Sequence, residues 1–289
     1  MMTSHGKNSL LCPRCRRLVS ADEPVCPHCG LKNPGSRWVA GFFGRLQSGN
    51  LQPVRLLIYI NVAFYILSIL FDPSAIRTSF NPLTLLSPSN HSLFFLGATG
   101  TIPIDQYGRW WTLISASFLH GGILHIFFNM AALSQLGTFV FHEYGFFRFL
   151  IIYTITGIAG FLLSYAVGIP FTIGASASLC GLIGAILFYG KSRGGFYGET
   201  IYRQATGWVV GLVLFGLLVP GINNWAHGGG LAAGILTGFL LGYEDKSAEN
   251  SLHRILGMAC VLVTVSVLLW AVMQTLYTFF IISGIINSY

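Results

Sequence analysis

The chain has 289 residues, of which 53% are hydrophobic and only 9% charged. A soluble domain carries about a quarter charged residues, so this composition excludes an ordinary soluble enzyme and points to a multi-span membrane protein. The net charge of +7 does not imply nucleic acid, because eight of the sixteen basic residues lie before or at the very start of the first apolar span, where a cytoplasmic N-terminus concentrates them.

In chain order, residues 1–35 read as a small polar module. Cys12-Pro-Arg-Cys15 and Cys26-Pro-His-Cys29-Gly are two C-x-x-C knuckles ten residues apart. Four thiolates from two such turns make a closed tetrahedral Zn²⁺ site, and metal binding supplies the folding energy that so short a segment lacks. Two disulfides are the competing reading, disfavoured because a basic cytoplasmic segment is kept reduced. His28 lies inside the second knuckle as a bystander. Four cysteines leave no open coordination position, so the expected role is structural, in partner docking or self-association.

Residues 36–53 read as a linker. Beyond them seven segments are long and apolar enough to cross a bilayer: about 54–71, 113–139, 147–167, 174–190, 205–220, 225–243 and 254–283. Arg148, Lys191, Arg193, Arg203, Lys246 and Arg254 fall on the same side as the N-terminal cluster, whereas Arg77 and Arg109 alone fall on the other. This bias predicts a cytoplasmic N-terminus, an external C-terminus and an all-α fold. Spans two, four and six then all start from the outer side. The expected domains are 1–35, the linker 36–53, a six-helix core at 54–243, and a loop with a further helix at 244–289.

Ionisable groups inside a span are costly, and so they mark function. All nine acidic residues fall in the soluble module or in loops, which argues against an aspartyl intramembrane protease and against proton relays through buried acids. His142-Glu143 continues as Tyr-Gly-Phe, so no H-E-x-x-H zinc helix exists. Histidine, asparagine and serine remain. FLHGGILHIFFNM supplies His120, His125 and Asn129, the last two sharing a helical face. AHGGGLAAG supplies His227, and GASASLCGLIGA supplies Ser176 and Ser178. His125, Asn129, Ser176 and His227 all lie at matched depth near the outer ends of their spans. A buried hydroxyl beside a neutral imidazole is the minimum equipment for nucleophilic catalysis. Ser178 is about 200° around the helix from Ser176 and reads as packing. Small-residue ridges, Ala177–Gly181–Ala185 and Ala226–Gly230–Gly234–Gly238, let spans four and six approach closely.

On these three motifs, residues 54–243 resemble the rhomboid intramembrane serine proteases, and the seventh span resembles their six-plus-one form. FLHGGILHIFFNM is similar to the family's H-x-x-x-x-H-x-x-x-N element, GASA matches G-x-S-G at three of four positions, and AHGGGLAAG is similar to A-H-x-G-G-x-x-x-G. The resemblance implies Ser176 as nucleophile and His227 as its base. It also implies His125, Asn129 and the Ser176 N–H as oxyanion donors, with His120 supporting the network. No cofactor would serve the chemistry, the zinc being structural only. Substrates would be transmembrane segments of other proteins in the lipid bilayer of the cytoplasmic membrane, with no nucleic acid partner. A pseudoprotease that holds membrane clients without cutting them is the alternative. Two positions depart from the pattern: Ala177 stands where the family has glycine, and Thr112 where a loop arginine is expected, with Arg109 nearby.

Overall fold

The computed structural model describes residues 9–12, 17–20, 22–32, 34, 53–72 and 85–286, with residues 10, 11 and 280–286 for backbone only. Cys15, Arg77 and the linker through residue 52 lie outside the described residues. The chain divides into two compact units, Met1–Leu56 and Leu57–Tyr289.

The first unit contains a two-stranded antiparallel sheet, β1 (Ser9–Leu11) and β2 (Leu18–Ser20), with Leu10 opposite Val19. An isolated bridge joins Val25 to Lys32. The small core consists of Cys12, Val19, Cys26 and Leu31. So little apolar surface cannot stabilise a fold by burial alone.

The second unit is built of helices, the first of which begins at Pro53 in the last residues of the first unit. In order come α1 (Pro53–Leu70), the short α2 (Asn90–Phe95), a π-helical turn at Ile102–Gln106, the short α3 (Thr112–Ser115) and α4 (Ile123–Tyr144). They are followed by α5 (Phe146–Ala166), α6 (Ser176–Arg193), α7 (Gly195–Leu218), α8 (Asn224–Leu241) and α9 (Ser251–Ile286). Among the described residues α1, α4, α5, α7 and α9 are long and apolar enough to cross a membrane. The other two long helices, α6 and α8, carry glycine, alanine and serine where they face each other; α6 is the inner helix, whereas α8 buries only its small-residue face. Every residue of α6 from Ala177 to Ile186 is buried. Helix α8 packs against α6 and α5, α7 packs on α6, and α9 lies against α5. Leucines and phenylalanines of α7, α8 and α9 point outward, as a lipid-facing surface requires.

The α6–α8 seam follows from its small residues. A Cβ on Gly230 would meet the carbonyl of Ala177, and one on Gly234 would meet the carbonyl of Gly181. Conversely, a Cβ on Gly184 would meet the carbonyl of Leu231. The two backbones are therefore in contact, as the predicted ridges require.

Two predicted spans begin elsewhere than hydropathy placed them. The second starts at Ile123, not 113, because Leu119–Gly122 breaks the run: Leu119 and Gly122 are both extended (φ −103° and 165°), and glycine is a poor helix former. Helix α7 starts at Gly195, ten residues before the predicted 205, since its first turns carry polar Glu199, Thr200 and Arg203. Hydropathy sees only the apolar part of a helix.

At the end of the bundle away from Ser176, Arg148 is fully buried. It donates through Nη1 to Ser247 O at 2.9 Å and through Nη2 to Ser247 Oγ at 3.0 Å. Glu249 accepts from the Phe147 and Arg148 N–H groups at 2.6 and 2.9 Å, capping α5. Burial pushes the Glu249 carboxyl above the usual range despite those two donors. These bonds tie the loop between α8 and α9 to the start of α5.

Candidate active site

Three helix starts converge. Gly174 adopts φ +125° and donates its N–H to Ala116 O at 2.9 Å. Two backbone hydrogen bonds between Thr99 and Thr172 hold the approach to this turn. Ser176 is the first residue of α6, and its predecessor Ala175 offers no side-chain cap. The first-turn N–H groups of α6 therefore lack intrahelical acceptors, and with the helix dipole they favour negative charge at that spot.

His227 sits in the first turn of α8, its N–H bonded to Asn223 O at 3.2 Å. Its Nε2 lies 2.8 Å from Ser176 Oγ. Its Nδ1 is buried and has no hydrogen-bond partner among the described residues, and none of their carboxylates orients the ring.

His125 Nδ1 accepts from the Gly121 N–H at 3.2 Å. This leaves the ring proton on Nε2, and that nitrogen faces Gly174, where a Cβ would come within 2.9 Å of it. Asn129 is buried and donates one amide N–H to His125 O at 2.7 Å, which leaves the second N–H available. His120 lies ahead of α4 rather than in it; it is fully buried, with its ring centroid 5.0 Å from that of His125.

Ser178 points elsewhere. Its buried Oγ lies against Gly157 of α5 and lines a small cavity with Ser117, Tyr153 and Thr264.

The two departures have local explanations. The Ala177 methyl packs over Gly160, where a Cβ would sit only 2.9 Å away, so a glycine on α5 makes room for it. Thr112 Oγ1 donates to Arg109 O at 2.6 Å and lies 3.0 Å from Thr99 Oγ1. Arg109 in turn donates to Phe94 O at 2.8 Å, with its guanidinium 4.5 Å from the Phe94 ring centroid. Arginine and threonine together pin the long loop ahead of α4.

Asn223, Ser164 and Thr172 were not singled out by sequence. Asn223 Nδ2 lies 2.6 Å from Ser164 Oγ and 3.0 Å from Thr172 Oγ1, and its Oδ1 accepts from Ala226 N–H at 3.0 Å. The available signal was an asparagine just ahead of a helix start.

Residues 107–244 match the Rhomboid domain family model. The chain is 34% identical over 218 residues to RHOMBOID-like protein 5 of Arabidopsis thaliana, which covers 71% of this chain and 68% of that relative. The chain belongs to the rhomboid family. This rhomboid is also 36% identical over 172 residues to RHOMBOID-like protein 4 of Arabidopsis thaliana, covering 57% of this chain and 42% of the relative. It is 36% identical over 162 residues to the Rhomboid protease GluP of Bacillus subtilis (strain 168), covering 56% of this chain and 32% of the relative. This rhomboid thus spans less than half the length of the last two. It is a multi-pass membrane protein built on the all-α rhomboid fold.

In the first unit the Sγ atoms of Cys12, Cys26 and Cys29 lie within 4.8 Å of one another, with Cys12 and Cys29 at 3.7 Å. Burial alone would raise the Cys26 thiol, but hydrogen bonds from the His28 and Cys29 backbone and from the Cys12 and Cys29 thiols bring it down to about 7. Converging thiols with acidic character fit a zinc-type donor set.

Proposed function

We propose that this rhomboid is an intramembrane serine endopeptidase working through a Ser176–His227 dyad. The observation that carries the reading is the 2.8 Å contact between Ser176 Oγ and His227 Nε2 at the N-terminal turn of α6, which has no side-chain cap. As Ser176 Oγ attacks a scissile carbonyl carbon, its proton passes to His227 Nε2. The oxyanion develops where the Ser176 N–H, His125 Nε2–H and the second Asn129 N–H can donate. Each such donor is worth about 10²–10³ in rate. His120 supports the His125 ring. Collapse breaks the C–N bond as His227 returns the proton to the leaving nitrogen. Water, deprotonated by His227, then attacks the acyl carbon and releases Ser176. No metal or cofactor enters these steps.

The substrates are transmembrane segments of other proteins, cut near the membrane face that holds the helix starts. By charge distribution this is the outer face of a cytoplasmic membrane, with the N-terminus inside and the C-terminus outside. In the N-terminal module Cys12, Cys15, Cys26 and Cys29 would hold a structural zinc that folds a ribbon for docking a protein partner.

The test uses the purified chain and a model transmembrane substrate in liposomes. Cleavage should fall to background in Ser176→Ala and in His227→Ala, while Ser178→Ala keeps most of it. Substrate binding without cleavage by wild type would favour a client-holding pseudoprotease. Full cleavage by Ser176→Ala would overturn the nucleophile.

A further inference from the structure

We propose that Asn223 is a positioning residue that sets the Ser176–His227 distance by tying the start of the histidine helix to the segment that delivers the serine. This rests on the protease reading above. Both dyad members sit in first helical turns, which fray more readily than helix centres. Their contact therefore depends on what fixes those two turns relative to each other. Helix α6 has no side-chain cap; α8 is capped by Asn223.

The chemistry of the amide explains why asparagine stands there. Asn223 Oδ1 accepts the Ala226 N–H, a role that serine, threonine or aspartate would fill about as well. Asparagine alone among those residues also brings two N–H donors. Here Nδ2 reaches Ser164 Oγ at 2.6 Å and Thr172 Oγ1 at 3.0 Å. Ser164 is fully buried near the end of α5, and Thr172 is a buried residue four positions before Ser176. Thr172 is itself held to Thr99 by two backbone bonds of 2.7 and 3.1 Å. One side chain thus joins α5, the turn into α6 and the first turn of α8, and through Thr172 it is linked to the loop carrying Thr99. His227 is four residues beyond Asn223 and donates its N–H back to Asn223 O. A shift of Asn223 therefore moves the imidazole directly.

The experiment compares Asn223→Ser, which keeps the cap but cannot span to Ser164 and Thr172, with the double variant Ser164→Ala/Thr172→Val, which keeps Asn223 and removes its acceptors. Cleavage kinetics in liposomes are measured beside the rate at which a fluorophosphonate labels Ser176, and thermal unfolding is followed in detergent. We expect kcat and the labelling rate to fall together by about 10- to 100-fold in both, since misplacement of reacting groups by about 1 Å costs that much. KM should stay within about twofold, and combining all three substitutions should add little more. A residue that merely stabilises the fold would lower the unfolding temperature and leave kcat of the folded fraction intact. That result, or wild-type labelling by Asn223→Ser, overturns the inference. Failure of wild type itself to cleave or label overturns the protease reading, and the inference with it.

Discussion

At the scale of single residues the site depends on where protons and backbones can go. Gly174 illustrates both. Its φ of +125° disfavours any side chain, and a Cβ there would press on the His125 ring at 2.9–3.0 Å. Gly174→Ala should therefore cost about 1–3 kcal/mol of stability from backbone strain. It should also lower kcat by at least about tenfold by displacing His125, a proposed oxyanion donor. Denaturation and cleavage assays measure the two effects; wild-type kcat in this variant would remove His125 from the oxyanion site. The serine choice is equally local. Ser176 and Ser178 are indistinguishable in composition, and a helical turn separates their directions: one hydroxyl meets His227 and the other Gly157. The 3.6-residue period made that difference legible in the sequence. The tautomer of His125 was not legible, because it depends on the Gly121 N–H, whose direction is set by a turn that only the fold defines.

Among elements, the α6–α8 seam holds the proposed dyad together. Its ridges of small residues were readable as a spacing, yet spacing alone does not say which glycines touch a neighbour. Gly228 and Gly230 make the point. A Cβ at Gly228 meets nothing within 4 Å, whereas one at Gly230 collides with the Ala177 carbonyl. Gly228→Ala is expected to leave stability unchanged or raise it by up to about 1 kcal/mol, through lower chain entropy in the unfolded state. Gly230→Ala should cost about 1–3 kcal/mol, as overpacking does, and should part Ser176 from His227. Thermal unfolding of the pair in detergent decides it, and equal behaviour of the two variants would sink the seam as the determinant. Boundaries were the least readable feature. Helix α4 begins ten residues later than hydropathy suggested, and the cause is Gly121-Gly122 together with the loop pinned by Arg109 and Thr112. As a result His120 sits ahead of the helix, where its ring packs beside His125 instead of extending the helix face.

Across the whole molecule, two units use different sources of stability. The membrane unit relies on close helix packing and on internally satisfied backbone, as lipid demands. The first unit has a four-residue core and three described thiols within 4.8 Å, and its proposed stabiliser is zinc. Purified under reducing conditions, the chain should carry about one equivalent of zinc, measured by metal analysis. Cys26→Ser should lose most of that metal, and a chelator should unfold the module, seen as lost protection of amides around Val19 and Leu31. A metal-free chain whose module keeps its amide protection would overturn the zinc site.

The sequence by itself determined the class of this protein: few charges, seven apolar segments, basic residues biased to one side, and His120, His125, Asn129, Ser176 and His227 gathered in three motifs. These follow from the bilayer, which acts on composition and period and so leaves its mark in one dimension. The tertiary structure decided which hydroxyl meets which imidazole, that Arg109 takes over the loop while Thr112 packs inside it, and that Asn223 bridges Ser164 and Thr172. Those outcomes depend on distances of a few ångströms between segments some 50 residues apart in the chain. Hydrogen-bond energy falls away within less than that distance, and no local pattern encodes so short a separation between remote residues.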